Sequence, residues 1–361
     1  MCLGGATTQT HTPTIRGLSS YVWRNIMTIR IALAGAGYIA EIHAQAIRNH
    51  PESELVAVVE KFPEQAAKFA EKYNIHRVFQ TIEELVANGD VDAVVIGTPN
   101  FLHAPQAVAA LEAGIHTMVE KPMAMNTAEA RTMQAAADQT GAKLMVAHCW
   151  RFDEDVLWLK AHTDRLGQII RTKGIGVHSN WGPAGWFTQK ELAGGGALAD
   201  MGIHAIDTAR YLLGDPEPVS VYARIGTYYR DFDVDDTGTI LINWDNGVTS
   251  FVETGWWQPH MDGPEAATQL YGRNGFGQIF PTRLEIPDPV EQKVEVIEGG
   301  FPFPREEHCP QAMYNRQMAH FVESIVHNQT PNPGAAEGII NMKILDASYQ
   351  SARTGQVVEV K

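Results

Sequence analysis

The chain has 361 residues, 44% of them apolar and 19% charged, which is ordinary for a soluble globular protein and enough for roughly two cores. Its net charge of −14 repels phosphate backbones, and no apolar stretch approaches ~18 residues, which argues against nucleic-acid and membrane partners. Cys2, Cys149 and Cys309 are odd in number without metal-type spacing, and read as reduced thiols of a cytoplasmic protein.

Residues 1–26 are rich in Thr, Ser and Gly and carry Arg16 and Arg24 but no acid. They lack the roughly 7–15-residue apolar run or twin arginine of an export signal. Met27 stands directly before the first predicted strand, so residues 1–26 read as a disordered tail or a mis-called start. Without them the balance is 26 − 42, or −16.

From Thr28 short apolar strands alternate with helices. Ile29 to Ala34 is predicted as the first strand, with a helix over Glu41 to Asn49, a strand over Leu55 to Val59 and a helix over Pro63 to Tyr73. Strands continue at Val91 to Gly97, Thr117 to Val119 and Lys143 to Ala147, with helices over Pro105 to Ala113 and Thr127 to Thr140. This alternation predicts an α/β fold with a doubly wound parallel sheet of Rossmann type, covered on both faces.

Beyond Trp150 the pattern changes. Ile169 to Val177, Val219 to Tyr228, Thr237 to Asn243 and Val248 to Glu253 are longer, alternating and β-branched. Asp245-Asn246-Gly247 joins two of them with the Asn-Gly pair favoured in two-residue hairpins. Helices are expected over Gly196 to Leu213, Gln311 to His327 and Ala335 to Thr354, the last stopped by Gly355. The second half is therefore predicted as an α+β domain with a large, mostly antiparallel sheet. The boundary is placed at 148/149, giving a dinucleotide-binding domain over 27–148 and a substrate-binding and oligomerisation domain over 149–361. The free face of the second sheet predicts a homo-oligomer, dimer or tetramer.

The first strand runs into Gly35-Ala36-Gly37-Tyr38-Ile39-Ala40, a G-x-G-x-x-A turn that opens a helix. Gly35 permits the tight turn, Gly37 lets the backbone approach a pyrophosphate, and Ala40 allows close helix–strand packing. The amides around Tyr38 and Ile39 then face the phosphates at a helix N-terminus. Glu60 closes the second strand 23 residues after Gly37. A carboxylate there accepts from ribose hydroxyls and repels a 2′-phosphate, so NAD is predicted over NADP, with Lys61 softening the choice. Thr98-Pro99-Asn100 ends the next long strand at the carboxyl edge of the sheet, where ligands of such folds bind.

Two further motifs carry the chemistry. In Glu120-Lys121-Pro122 the lysine precedes a proline at a strand end, which restricts it to extended geometry. Its ammonium polarises a substrate oxygen or shares a proton, and desolvation beside a cationic ring is expected to bring its pKa from ~10.4 towards ~7–8. Asp200, His204 and Asp207 fall on one face of a predicted helix, and Gly194-Gly195-Gly196 lets that helix start close to a ligand or another backbone. Histidine as a residue type titrates near neutral pH, so His204 is expected to take a hydroxyl proton, while Asp200 orients the ring or binds a second hydroxyl. With no cysteine cluster and no His-x-x-x-His pair, no metal site is read at Asp200 and His204. Glycine turn, lysine and histidine together predict hydride transfer at a carbon bearing a hydroxyl.

In this order and at these distances the motifs resemble the Gfo/Idh/MocA oxidoreductases, which include glucose–fructose oxidoreductase and the inositol and sugar dehydrogenases. The likeness runs from Ile29 to the C-terminus. It also takes in His103, Gly114-Ile115-His116, Gly194-Gly195-Gly196-Ala197-Leu198 and Ser351-Ala352-Arg353-Thr354-Gly355. The resemblance implies Lys121 at the nicotinamide ribose and substrate hydroxyl, His204 as acid/base and Asp200 as substrate ligand. Thr98, Asn100, His103 and Glu120 would lie around the cofactor, and the peptide before Pro122 is often cis. Glu60 stands where an aspartate is commoner. Arg151 opens the second half, where the family often has an arginine near the cleft. Trp181, Trp186, Trp256 and Trp257 are candidates to stack on a sugar, and His178 and Asn180 to bond a polyol. The implied function is NAD(P)-dependent oxidation or reduction at a hydroxyl-bearing carbon of a sugar, cyclitol or related polyol. Two alternatives stand beside it: an NAD-dependent glycoside-cleaving hydrolase or lyase of the same family, and a non-catalytic sugar-sensing regulator.

Overall fold

Six short strands, β1 (Ile29–Ala34), β2 (Ser53–Val59), β3 (Arg77–Phe79), β4 (Ala93–Ile96), β5 (His116–Glu120) and β6 (Leu144–Ala147), form a parallel sheet in the order β3-β2-β1-β4-β5-β6. They belong to a computed structural model describing residues 28–88, 90–259, 264–307 and 309–360; the expectations for residues 1–26 and Cys2 lie outside these. The strands are mainly apolar because helices cover both faces, and in β4 and β6 every residue is apolar and buried. The chain returns between strands through α1 (Tyr38–Asn49), α2 (Pro63–Tyr73), α3 (Ile82–Asn88), α4 (His103–Glu112) and α5 (Thr127–Thr140). Local chemistry sets their ends. Pro63 opens α2 and Asn74 closes it at φ 56°, while Asn126 caps α5 by accepting from the Glu129 N–H and Gly141 ends it. Strand order reverses between β1 and β4, and sheets of this kind bind ligands in the crevice at that point.

Nine strands make the second sheet: β7 (Ile169–Ser179), β8 (Pro218–Gly226), β9 (Thr237–Trp244), β10 (Thr249–Gln258), β11 (Ala266–Gly272), β12 (Phe276–Gln278), β13 (Arg283–Asp288), β14 (Lys293–Glu298) and β15 (Val358–Glu359). Their order is β14-β13-β12-β11-β7-β10-β9-β8-β15, antiparallel except for the β7–β10 pair. Helices α6 (Glu154–His162), α7 (Lys190–Ala193), α8 (Ile203–Leu212), α9 (Gln311–Val326) and α10 (Ala335–Thr354) complete this half. In β9 the period-2 pattern is plain: Ile240 and Ile242 are buried, whereas Leu241 between them is 41% exposed. The inner face packs on α8 and α10, so Val221, Ala223 and Ile240 share a core with Ile206 and Ile344. That core continues into the first half through Val119, Met133 and Val146.

The structure revises several expectations. Asp245-Asn246-Gly247 is a three-residue loop, closed by the Trp244 N–H to Val248 O and the Gly247 N–H to Trp244 O, and within it Gly247 takes positive φ (82°). A two-residue Asn-Gly turn would need positive φ at the asparagine as well. The helix predicted from Gly196 begins instead with a π-helical turn, Leu198–Gly202, before α8. Strands β3 and β11 to β15 and helices α3, α6 and α7 were not anticipated.

Candidate active site

A cavity of about 770 Å³ opens where the ends of β4 and β5, the start of α1, the end of β7 and the π-turn before α8 converge. On the first-half side, Gly35 has φ +96°, and a Cβ there would stand 2.8 Å from the Gly97 carbonyl oxygen, so this tight turn needs glycine. Gly37 is the N-cap of α1 with no side-chain cap, and a Cβ there would project into open space. The first amides of α1 therefore face a bare concavity, which fits a pyrophosphate. The Glu60 carboxylate is fixed at the tip of β2 by the Ala36 N–H and Phe62 N–H, each at 3.0 Å. Ala36 and Phe62 border a second cavity of about 640 Å³, which meets the first at Tyr38.

Lys121 and Asp200 meet inside the first cavity although 79 residues separate them. The ammonium donates to Asp200 Oδ1 at 2.7 Å and to its carbonyl oxygen at 2.9 Å. Asp200 Oδ2 accepts from the buried Trp256 indole N–H at 3.0 Å. The peptide before Pro122 is cis. Burial disfavours the ammonium of Lys121, but the charge and hydrogen bond of Asp200, with the Glu120 charge behind them, outweigh it and raise the pKa above the ordinary lysine value. The expected downward shift of Lys121 is therefore reversed. Burial likewise pushes the Asp200 carboxyl up, and Lys121, His178 and Trp256 bring it below the usual carboxylate range.

His204, one turn after Asp200 and 7% exposed, lines the same cavity. Its ring stacks on Trp150, with centroids 4.9 Å apart and planes inclined by 19°. Behind Lys121, a buried pair joins the two halves of the motif to α1: His43 Nε2 lies 2.7 Å from Glu120 Oε1, while Glu120 Oε2 accepts the Lys121 N–H. Burial raises the Glu120 pKa, and the His43 bond and Lys121 charge more than reverse this, keeping the carboxylate ionised.

Other candidates fall less simply. Tyr38, Ile39, Thr98, Asn100, His103 and Glu120 all line the cavity. The Asn100 amide nitrogen is taken by the Ala193 carbonyl, which ties the β4 loop to α7, and both nitrogens of His103 contact carbonyls, of Pro122 and Thr98. His178 and Trp186 stand on the opposite wall with Trp181. Arg151 does not reach the cleft. It is 2% exposed and makes two bonds to Asp207 and two to Asp215, a buried arrangement that anchors α8. Asp207 accordingly faces Arg151 and Asn341, away from the cavity that holds Asp200 and His204. His204 and Asp207 both lie within α8, beyond the π-turn, and Asp207 is held on the side where Arg151 and Asn341 stand. Asn180 bonds Ser179, and Trp257 is covered by Arg230, so neither lines the cavity.

Several lining groups escaped sequence reasoning. Cys149, Cys309 and Tyr314 lie together at one end, and burial raises the pKa of each. Glu265 stands beside Trp181. These arrive through long-range packing, whereas His43, behind Glu120, carried a usable signal one turn after Ile39 on the helix opened by the glycine turn.

Residues 29–148 match the model of an oxidoreductase family with an NAD-binding Rossmann fold, and residues 161–276 match the GFO/IDH/MocA C-terminal domain. The chain is similar to the D-glucoside 3-dehydrogenase of Escherichia coli (strain K12), with 30% identity over 351 residues, 92% of this chain and 97% of that protein. It is also similar to the inositol 2-dehydrogenase of Rhizobium meliloti (strain 1021), 27% identical over 92% of this chain and all of that protein. Among solved structures, levoglucosan dehydrogenase in complex with NADH superposes with a TM-score of 0.83 at 25% identity, covering 92% of this chain and 99% of that one. An aldose-aldose oxidoreductase from Caulobacter crescentus complexed with glycerol gives 0.77 at 30% identity, with the same coverage.

Proposed function

Because the chain belongs to the GFO/IDH/MocA family of oxidoreductases with an NAD-binding Rossmann fold, we propose that it interconverts a secondary alcohol and a carbonyl on a sugar, cyclitol or related polyol. The observation that carries this reading is the Lys121–Asp200 pair at 2.7 Å, in one cavity with His204 and the glycine turn. NAD, when bound, supplies the acceptor for the hydrogen and electron pair that leave the carbon. His204 takes the hydroxyl proton in the oxidative direction and returns it in the reductive one. Lys121, held as an ammonium, donates to the same oxygen as its negative charge develops. Asp200 has both carboxylate oxygens engaged, by Lys121 and Trp256, so its main part is to place that ammonium. Glu60, anchored by two amides, disfavours a 2′-phosphate and so favours NAD over NADP.

In the same reading, residues 27–148 hold the cofactor and 149–361 supply the substrate wall and the assembly surface. Tyr222, Leu241 and Phe251 lie in register across β8, β9 and β10 on the face turned from α8 and α10, and this face supports a homo-oligomer. No described helix is long and apolar enough to cross a membrane. The free thiols at Cys149 and Cys309 support a reducing, cytoplasmic setting.

The test is NADH formation across a panel of aldoses, glycosides, cyclitols and alditols, followed by Lys121→Ala and His204→Ala on the best compound. Each variant is expected to lose on the order of 10²–10⁴ in kcat while still quenching its tryptophan fluorescence with NAD. Near-wild-type turnover in both rejects the roles assigned to the two residues.

A further inference from the structure

The wall facing the glycine turn is aromatic and acidic. His178 stacks on Trp181 with centroids 3.6 Å apart, and Trp186 on Phe187 at 3.8 Å. Trp181 remains 48% exposed although His178 covers one face of its ring. The N–H of that indole donates to Glu265 Oε1 at 3.2 Å, and the Ser179 N–H donates to the same oxygen at 2.7 Å. Antiparallel pairing of β11 with β7 brings these groups together, with the Val177 N–H bonded to the Glu265 carbonyl. Among the described residues no hydrogen bond reaches Glu265 Oε2, and Glu265 lines the cavity.

Charge in the cavity is one-sided. Its described lining holds the carboxylates of Glu120, Asp200, Glu265 and Glu307 against one fixed cation, Lys121. That cation is matched by Asp200, and Glu120 by its contact with His43. No described Lys or Arg forms an ion pair with Glu265 or Glu307. Arg305, two residues before Glu307, is committed to Asp153 and Asp155, and Arg151, next to the lining residue Trp150, to Asp207 and Asp215. A phosphate or carboxylate on the substrate would enter this field with no guanidinium among the described lining residues to receive it.

We infer that the cleft selects an unphosphorylated, non-acidic pyranose, whose apolar ring face lies on Trp181 and whose hydroxyl donates to the open oxygen of Glu265. A pyranose suits the site because it offers a C–H face to an aromatic plane and O–H donors at its rim. The inference rests on the dehydrogenase reading and narrows its substrate class. Glu265 and Trp181 become the residues that determine specificity.

The experiment measures NADH formation by the NAD-loaded protein with D-glucose, D-galactose, D-mannose and their methyl glycosides. The same sugars carrying a C6 carboxylate or C6 phosphate, together with myo-inositol and D-sorbitol, complete the panel. Each anion is expected to show kcat/KM about 100-fold below its neutral parent. Glu265→Gln is expected to raise KM for the neutral pyranose about tenfold with kcat little changed, and to shrink the discrimination against the anions. Trp181→Ala is expected to raise KM while Trp181→Phe restores it, which separates stacking from folding. Anions used as well as their parents, turnover confined to the cyclitol or alditol, or unchanged discrimination in Glu265→Gln would each overturn the inference and leave the dehydrogenase reading intact. Failure of every compound to reduce NAD would instead remove the dehydrogenase reading, and this inference with it.

Discussion

Gly196→Ala tests how the active-site turn is held. The N–H groups of Gly196 and Leu198 each donate to the Asp235 carboxylate at 2.8 Å, and the Ala197 N–H donates to the Asp235 carbonyl at 2.8 Å. The Tyr349 hydroxyl closes the clamp on Asp235 Oδ1, also at 2.8 Å. A Cβ on Gly196 would stand 1.8 Å from the Asp235 carbonyl oxygen, whereas ordinary contact begins near 3.4 Å, so the two backbones must separate by 3.4 − 1.8, or 1.6 Å. Overpacking of this kind costs about 1–3 kcal/mol, which a fold stable by roughly 5–15 kcal/mol survives. The loss in function is larger. Asp200 lies four residues on, and displacement by about 1 Å loosens its 2.7 Å hold on Lys121 and costs about 10²-fold in turnover. Calorimetry should therefore show a melting temperature lower by several degrees, while the NADH assay shows kcat down about 100-fold. NAD affinity, read by fluorescence, should hold, because the Gly35–Gly37 turn is untouched. A folded Gly196→Ala protein with kcat within about twofold of wild type would refute the claim that this clamp positions Asp200.

Three further outcomes follow from the same contacts. In Asp200→Asn the charge that raises the Lys121 pKa is gone while burial remains, so the ammonium deprotonates at lower pH. The kcat profile should acquire a fall on its alkaline side that wild type lacks, and superimposable profiles would refute this. Burial pushes the Asp207 carboxyl up, but Arg151, His148 and Asn341 hold it at about 2, below the unfolded value near ~3.9. This depressed pKa contributes about 2 kcal/mol that is present above pH ~4 and lost as pH falls towards ~2. The melting-temperature gap between wild type and Asp207→Asn should thus narrow through that window, and a constant gap would contradict the assignment. Leu241→Glu puts a charge on the open face of the nine-stranded sheet, and light scattering should report a smaller assembly than wild type; an unchanged mass would exclude this face as the contact.

How far the sequence discloses the molecule depends on the range over which each signal acts. The G-x-G-x-x-A turn and the lysine before Pro122 are legible because a local backbone requirement writes each one, as Gly35 needs its positive φ. The triple glycine is legible as a run, although the need of Gly196 for an empty Cβ position comes from Asp235, 39 residues away. The first sheet is legible for a related reason: strands buried on both faces are continuous apolar runs, and all but the three-residue β3 are predicted. Edge strands lack that mark. In β14, five of six residues are exposed, so nothing in its composition separates it from a loop.

Trp181, Trp186 and His178 are candidates by residue type, but Glu265 is silent in the sequence because register creates its place. Glu265 matters only since β11 pairs antiparallel with β7, which sets its carboxylate against Ser179 and Trp181, 86 and 84 residues away. Arg151 shows the converse error: an arginine at the start of a substrate domain suggests a ligand contact, yet Asp207 and Asp215 claim it from 56 and 64 residues away. The groups proposed for acid/base work sit on short motifs held by clamps such as Asp235, whereas the proposed substrate contacts come from strand ends that meet only after both sheets close. Substitutions along β7 and β11 can therefore change which alcohol fits while Lys121, Asp200 and His204 keep their places. On that separation Glu265→Gln is expected to alter selectivity at nearly constant kcat, whereas a change at the Lys121–Asp200 pair is expected to lower kcat.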